Sequence, residues 1–273
     1  MTSSAMDDRE LVSILHPGLG AVFKGVKTAE LSDQKPSSVA QFRGIKFARI
    51  PARFRRAILH ENFPPVVDAT NHGPICPQSI GQRKFEDLLN GASPESLAVA
   101  GQLESPVMDE FECLNLVITA PVLGDTDSVA EQLFPVMIYI HGGGNFVGAN
   151  SFWFNDGRHL VEKGVESNLP VVIVALNYRL PALGWLSSQT LRKYNAAFGD
   201  VGVGNYARAH VNTVEELRDI PVDVLLQAFT EASSKTGFSA VPTIDDELFT
   251  QSWAEHYSFA NKDFRVMIGH TTY

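Results

Sequence analysis

Hydrophobic and polar positions along the chain change period several times. The segments "LGAVFKGVKTAEL" and "SVAQFRGIKFA" alternate apolar and polar residues and are joined by a polar, Pro-containing turn, which predicts two antiparallel strands. From Pro51 to about Gly101 the chain is rich in Pro, Gly, Asn and charge, so mostly loop with short helices is expected. "CLNLVITAPV" (Cys113 to Val122) and "FPVMIYI" (Phe134 to Ile140) read as strands, and "NDGRHLVEKGVES" as a short helix. "LPVVIVALNYRL" (Leu169 to Leu180) is a near-continuous β-branched run, the pattern of a strand buried on both faces. Strand, helix and buried strand in succession imply a right-handed crossover and an α/β sheet. After Tyr206 the texture becomes helical. Thr213 to Glu216 forms a capping box, and Pro221 opens a second helix with Val224, Leu225, Ala228 and Phe229 on one face and Gly237 beyond its end. Arg265 to His270 reads as one more strand.

Composition narrows the function classes. The chain has 273 residues, 44% hydrophobic and 19% charged, with a formal net charge of −9. That balance suits one folded α/β domain over residues 1–273, with a flexible N-terminus over 1–18, and disfavours nucleic-acid and membrane partners. No basic n-region precedes an apolar core, so a cytoplasmic location is expected, with secretion the alternative if the N-terminus is incomplete. Two cysteines, Cys76 and Cys113, do not make a disulfide scaffold; free thiols and a single loop-closing bond both remain open. The eight histidines (16, 60, 72, 141, 159, 210, 256 and 270) show no metal-ligand spacing, and no metal or cofactor is expected.

The chemistry concentrates at "FPVMIYIHGGGNFVGAN", where an apolar strand runs into His141 and three glycines. Successive glycine N–H groups delivered by a strand are one way to build an oxyanion hole. A Gly-rich turn or phosphate nest is the plainer reading of those four residues alone.

The neighbouring motifs weigh against the plainer reading. "GIKFARIPARF", "GPICPQS", "ECLNLVITAP", "PVMIYIHGGGNFVGAN", "VALNYRLPALGWLSS" and "VGVGNY" occur in this order. Together they resemble the type-B carboxylesterase and cholinesterase family of the α/β-hydrolase superfamily, from about Gly20 to Tyr206. The resemblance implies an incomplete α/β-hydrolase fold, a mixed and mostly parallel sheet with an N-terminal antiparallel hairpin. It implies hydrolysis of carboxylic esters by a serine nucleophile, and a small carboxylic ester or apolar ligand as partner. Gly143 and Gly144 match the oxyanion-hole pair, and Cys76 and Cys113 match a loop-closing disulfide. Asn177, Tyr178 and Arg179 match a structural turn. Phe146 and Trp185 are candidate pocket-lining residues, with core filling the plainer role, and His141 is expected to position the loop.

The family's nucleophile sits in a G-x-S-x-G elbow. The two Gly-x-Ser candidates, "GASPE" and "GFSAV", lack the second glycine, and Ser239 in the latter reads as a loop residue. "GNY" at Gly204 to Tyr206 is followed at once by sequence resembling a much later part of the family, which places a deletion junction near 206–212. The acidic and histidine positions of the triad would lie beyond Tyr273, so the triad is expected to be absent. His256 or His270, oriented by Asp245, Asp246 or Glu247, would be the substitutes to consider. Phe111 and Pro181 replace an acid and a glycine usual in the family. Three readings follow: an ester hydrolase by descent with impaired activity, a non-catalytic protein that binds a ligand or partner as neuroligin-type relatives do, or a truncated product without function. Loss of the nucleophile strand would also leave "PVMIYI" on an exposed sheet edge, inviting self-association.

Overall fold

The computed structural model describes residues 10–27, 39–79, 106–122, 133–185 and 214–236. The strands are β1 (Leu11–His16), β2 (Ala21–Lys27), β3 (Val39–Lys46), β4 (Ala48–Arg49), β5 (Ile58–Leu59), β6 (Val66–Asp68), β7 (Asn115–Pro121), β8 (Val136–Ile140) and β9 (Val172–Leu176). The helices are α1 (Arg158–Glu166), α2 (Ala182–Trp185), α3 (Val214–Asp219) and α4 (Val222–Thr236). The main sheet runs β1-β2-β3-β7-β9-β8, with β6 also paired to β2.

The fold class stands, but the proportions of the sheet differ from expectation. Among the described strands the pairs β1–β2, β2–β3, β3–β7 and β7–β9 are antiparallel. Only β8–β9 and the short β2–β6 pair are parallel. Hairpin-like returns suffice for the N-terminal strands, whereas β8 and β9 are joined through helix α1, and such a crossover is what parallel pairing needs.

One further expectation is corrected. Residues 11–16 of the supposedly flexible N-terminus form β1, paired to β2 from Leu11↔Val26 to His16↔Ala21. Five of its six side chains stay exposed, so backbone bonds hold it and no burial pattern announces it. Between Pro51 and Ser79 the chain is mostly loop, as expected, with the short strands β5 and β6; the short helices expected before Gly101 are not tested by these residues. Residues 80–101, Thr213, Gly237 and the predicted strand at 265–270 lie outside the described residues.

β9 is also not buried on both faces. Ile173 and Ala175 are buried, while Val172, Val174 and Leu176 are half-buried. Helix α1 covers one face, its Val161 packing with Ile173 and Val39. A second core gathers Phe54, Cys76, Cys113, Leu114, Leu180 and Leu183 with Leu217, Leu225 and Phe229 from α3 and α4. Leu225 and Phe229, one turn apart, are the buried seam of α4; Val224, expected on that face, is exposed.

Candidate functional site

The glycine segment leaves the C-terminal end of β8, the end at which parallel strands of open α/β sheets present their ligand sites. His141 begins it and is 3% exposed. Its ring stacks on Tyr178 at 4.4 Å and 18°, and the Tyr178 hydroxyl donates to the His141 carbonyl at 3.0 Å. Its Nδ1 lies 2.9 Å from the Gly142 carbonyl oxygen. A carbonyl only accepts, so Nδ1 carries the proton in the neutral ring. Nε2 is then a buried acceptor with no hydrogen-bond partner among the described residues. Burial holds the imidazole pKa below its ordinary value, against the Gly142 carbonyl, which favours the charged form. His141 therefore positions the loop, as expected.

Gly143 closes the turn. Its carbonyl accepts from Phe146 N–H at 3.0 Å and Val147 N–H at 3.2 Å. Its φ is +116°, and a Cβ there would land on the Val147 carbonyl oxygen. Gly144 also has positive φ, +61°, but a Cβ would meet nothing nearer than the Phe146 ring at 4.0 Å. Neither the Gly143 nor the Gly144 N–H has a hydrogen-bond partner among the described residues. Two adjacent free donors on a fixed turn can hold an oxygen that gains negative charge.

The far end of the loop is locked by Gln78, Asn115 and Asn150, which the sequence reading did not single out, together with Asn177. Gln78 grips the Gly148 backbone from both sides, accepting from its N–H at 2.7 Å and donating to its carbonyl at 2.9 Å. Asn150 N–H donates to Asn177 Oδ1 at 2.8 Å, and its side chain donates to the Asn115 carbonyl at 3.1 Å. All five residues are buried, and Gly148 is also close-packed on His141. The signal was present: amides inside apolar or Gly/Pro-rich segments must find partners if buried. Their partners, however, are far apart in sequence.

Asn177, Tyr178 and Arg179 make the expected structural turn, Arg179 donating to the Arg55 carbonyl at 2.7 Å. Phe146 and Trp185 both pack on the second core. Phe146 faces Phe229 of α4 at 5.6 Å, and Trp185 donates to the Arg179 carbonyl at 3.1 Å. Cys76 and Cys113 are buried thiols side by side and are not bonded to each other here. The Cys76 sulfur is taken up by Leu180, accepting from its N–H at 3.0 Å and facing its carbonyl at 3.4 Å. Burial and the neighbouring Cys113 push the Cys76 thiol pKa up. Ser239, Asp245, Asp246, Glu247, His256 and His270 lie outside the described residues. A polar cavity of about 250 Å³ lies between the sheet and residues 150–158, lined by Gln41, Arg43, Asp156 and Arg158 among others, and takes in none of the glycines 142–144. Among the described residues no group of three or more His, Cys, Asp or Glu is placed to hold a metal.

Comparison with known proteins gives a consistent picture. Lipase 1 of Yarrowia lipolytica is 31% identical over 177 residues, covering 64% of this chain and 31% of that protein. Para-nitrobenzyl esterase of Bacillus subtilis is 34% identical over 167 residues, covering 60% of this chain and 28% of that protein. The chain thus spans less than a third of the length of these curated relatives. Among solved structures, a thermophilic PNB esterase superposes with a TM-score of 0.59 at 20% identity, covering 84% of this chain and 55% of that one, a likeness of fold. The carboxylesterase family model matches residues 20–204, which takes in the main sheet from β2 onward, the glycine turn and the locks on either side of it. On that match, the chain belongs to the carboxylesterase family.

Proposed function

We propose that this chain carries the oxyanion-stabilising half of a carboxylic-ester site, and that the sequence as it stands binds acyl esters without efficient turnover. The observation that supports this is the pair of N–H groups at Gly143 and Gly144, without a partner among the described residues and held on a turn at the C-terminal end of a parallel strand. Ester hydrolysis is the chemistry of the family. The carbonyl oxygen of an ester gains charge as a nucleophile adds, and donors fixed beforehand stabilise that charge without reorganising. The second half of the reading rests on the sequence, which contains no Gly-x-Ser-x-Gly. Donors and binding without a triad leave a residual acceleration of roughly 10³–10⁴ over water in proteases stripped of triad members.

The test is hydrolysis of p-nitrophenyl acetate by the purified chain, beside Gly144→Val and Ser239→Ala. The expected result is at most a slow rate above buffer that Gly144→Val removes and Ser239→Ala leaves alone. A Cβ at 144 meets nothing nearer than the Phe146 ring at 4.0 Å, but a β-branched side chain strongly disfavours φ of +61°, so the loss would report the backbone donors. Rapid turnover abolished by Ser239→Ala would overturn the second half of the proposal. A rate, or phenyl acetate binding followed by ligand-observed NMR, that ignores Gly144→Val would overturn the first.

A further inference from the structure

Gln78 holds both polar groups of one glycine. Its Oε1 accepts from the Gly148 N–H at 2.7 Å. Its Nε2 donates to the Gly148 carbonyl at 2.9 Å and to the Cys76 carbonyl at 3.0 Å. These bonds fix which end of the amide is which, since the reverse would set its oxygen against two carbonyls. Among the described residues no other group bonds to the Gly148 N–H or carbonyl.

Gly148 bears in turn on both oxyanion donors. Its Cα, at φ of +122°, lies against the His141 ring and the Gly142 carbonyl, where a Cβ would overlap both. The Gly142 carbonyl shares a planar peptide group with the Gly143 N–H, the first donor. The Gly148 N–H itself shares a peptide group with the Val147 carbonyl, the oxygen on which a Cβ at Gly143 would land. Val147 N–H donates to the Gly143 carbonyl at 3.2 Å, and that carbonyl shares its peptide group with the Gly144 N–H, the second donor. The peptide that Gln78 holds therefore cannot turn without moving the two peptides that carry the donors.

We propose that Gln78 is a positioning residue for the oxyanion donors: through Gly148 it sets the direction of the Gly143 and Gly144 N–H groups. This role rests on reading the glycine turn as an oxyanion site. It requires one side chain that donates and accepts side by side, which an amide does and a carboxylate does not. A neutral carboxylic acid also does both. Gln78→Glu should thus keep both bonds to Gly148 when protonated, and when ionised set a charge against the Gly148 and Cys76 carbonyls. Burial pushes the pKa of such an acid up. Of the titratable groups around it, burial holds Cys76 and Tyr178 up and His141 down, each toward its neutral form. The Arg179 guanidinium donates to the Arg55 carbonyl, and the Asp109 carboxylate accepts from the Phe111 and Glu112 N–H groups.

The test is p-nitrophenyl acetate hydrolysis by Gln78→Glu, Gln78→Met and Gly144→Val, each divided by the unmodified chain's rate at the same pH, which cancels what His141 contributes to both. Amide NMR of the chain labelled only at glycine accompanies it. The Gln78→Glu ratio should stay within about twofold of one in acid and fall about tenfold as the carboxyl ionises, the scale of one or two lost hydrogen bonds. The Gly143, Gly144 and Gly148 signals should move with that titration, and Gln78→Met should show displaced signals and a low rate at every pH. Should Gln78→Glu unfold on ionising, its acid-side rate and spectrum against Gln78→Met at the same pH carry the comparison. A folded Gln78→Met with the unmodified rate and glycine signals would overturn the proposal. A Gln78→Glu rate depressed equally at every pH, with signals that do not titrate, would overturn it too, as the mark of a purely structural residue. If Gly144→Val leaves the rate untouched, the oxyanion reading fails instead, and the glycine signals alone decide whether Gln78 directs the turn.

Discussion

Arg53→Met removes a guanidinium that ties the N-terminal half of the chain to the helical pair. Arg53 is 8% exposed and forms a two-pronged ion pair with Glu110, Nε to Oε2 and Nη2 to Oε1, both at 2.6 Å. Its Nη1 donates to the Ile220 carbonyl at 2.5 Å and to the Leu217 carbonyl at 3.4 Å, satisfying acceptors where α3 ends. Arg218 of α3 returns a bond to the Arg53 carbonyl at 2.9 Å. Met keeps most of the apolar stem, so the loss falls on charge and hydrogen bonding. Breaking a buried ion pair by removing one partner costs about 3–5 kcal/mol, because the other charge stays behind. Glu110 retains 14% of its side-chain surface, so partial hydration places the expected loss near the lower end, about 3 kcal/mol. Adding Glu110→Gln to Arg53→Met removes the stranded charge and should recover roughly 1–2 kcal/mol, since an unpaired buried amide costs less than an unpaired carboxylate. Urea unfolding followed by circular dichroism measures all four corners of the cycle. If Arg53→Met stays within about 1 kcal/mol of the unmodified chain, or if the double variant is less stable than Arg53→Met, the pair does not anchor these helices.

Three other outcomes follow from the site. Gly143→Ala should cost about 2–4 kcal/mol, from a φ that side chains avoid and from overlap with the Val147 carbonyl, whereas Gly142→Ala, with open space and no positive φ, should change stability by under about 0.5 kcal/mol; equal melting temperatures for the two would refute the turn geometry. The Cys76 thiol, buried with a raised pKa, should react slowly with an aromatic disulfide reagent at pH 8 until denaturant is added, and prompt labelling of the folded chain would count against its burial. His141 has a depressed folded pKa, so the unfolded chain binds its proton first. Its contribution is present above the ordinary value of 6.5 and is lost as pH falls from there through the folded value; His141→Phe should flatten that part of the stability profile, and an unchanged acid slope would show that another group carries it.

Local pattern was enough to place β2, β3, β7, β8, β9, α1, α3 and α4, because apolar period and cap residues act within a few positions of one another. The same holds for the glycine turn: three glycines after a β-branched strand signal donors and left-handed backbone wherever the chain goes next. What holds that turn was not legible. Gln78 meets Gly148 across 70 residues, Asn115 meets Asn150 across 35, and Arg53 meets Ile220 across 167. Nothing in a local stretch records which distant carbonyl will satisfy a buried amide or guanidinium. β1 escaped notice for the opposite reason, since its side chains stay exposed and its partner strand alone makes it a strand. The β-branched run of β9 specified a strand, but whether both faces would be covered depended on helix α1 taking one side and no described helix taking the other. Sequence alone thus determined element type and the chemistry available at residues 141–144. Tertiary structure decided pairing direction, burial and the supports of the site, because those depend on contacts between residues that only folding brings together.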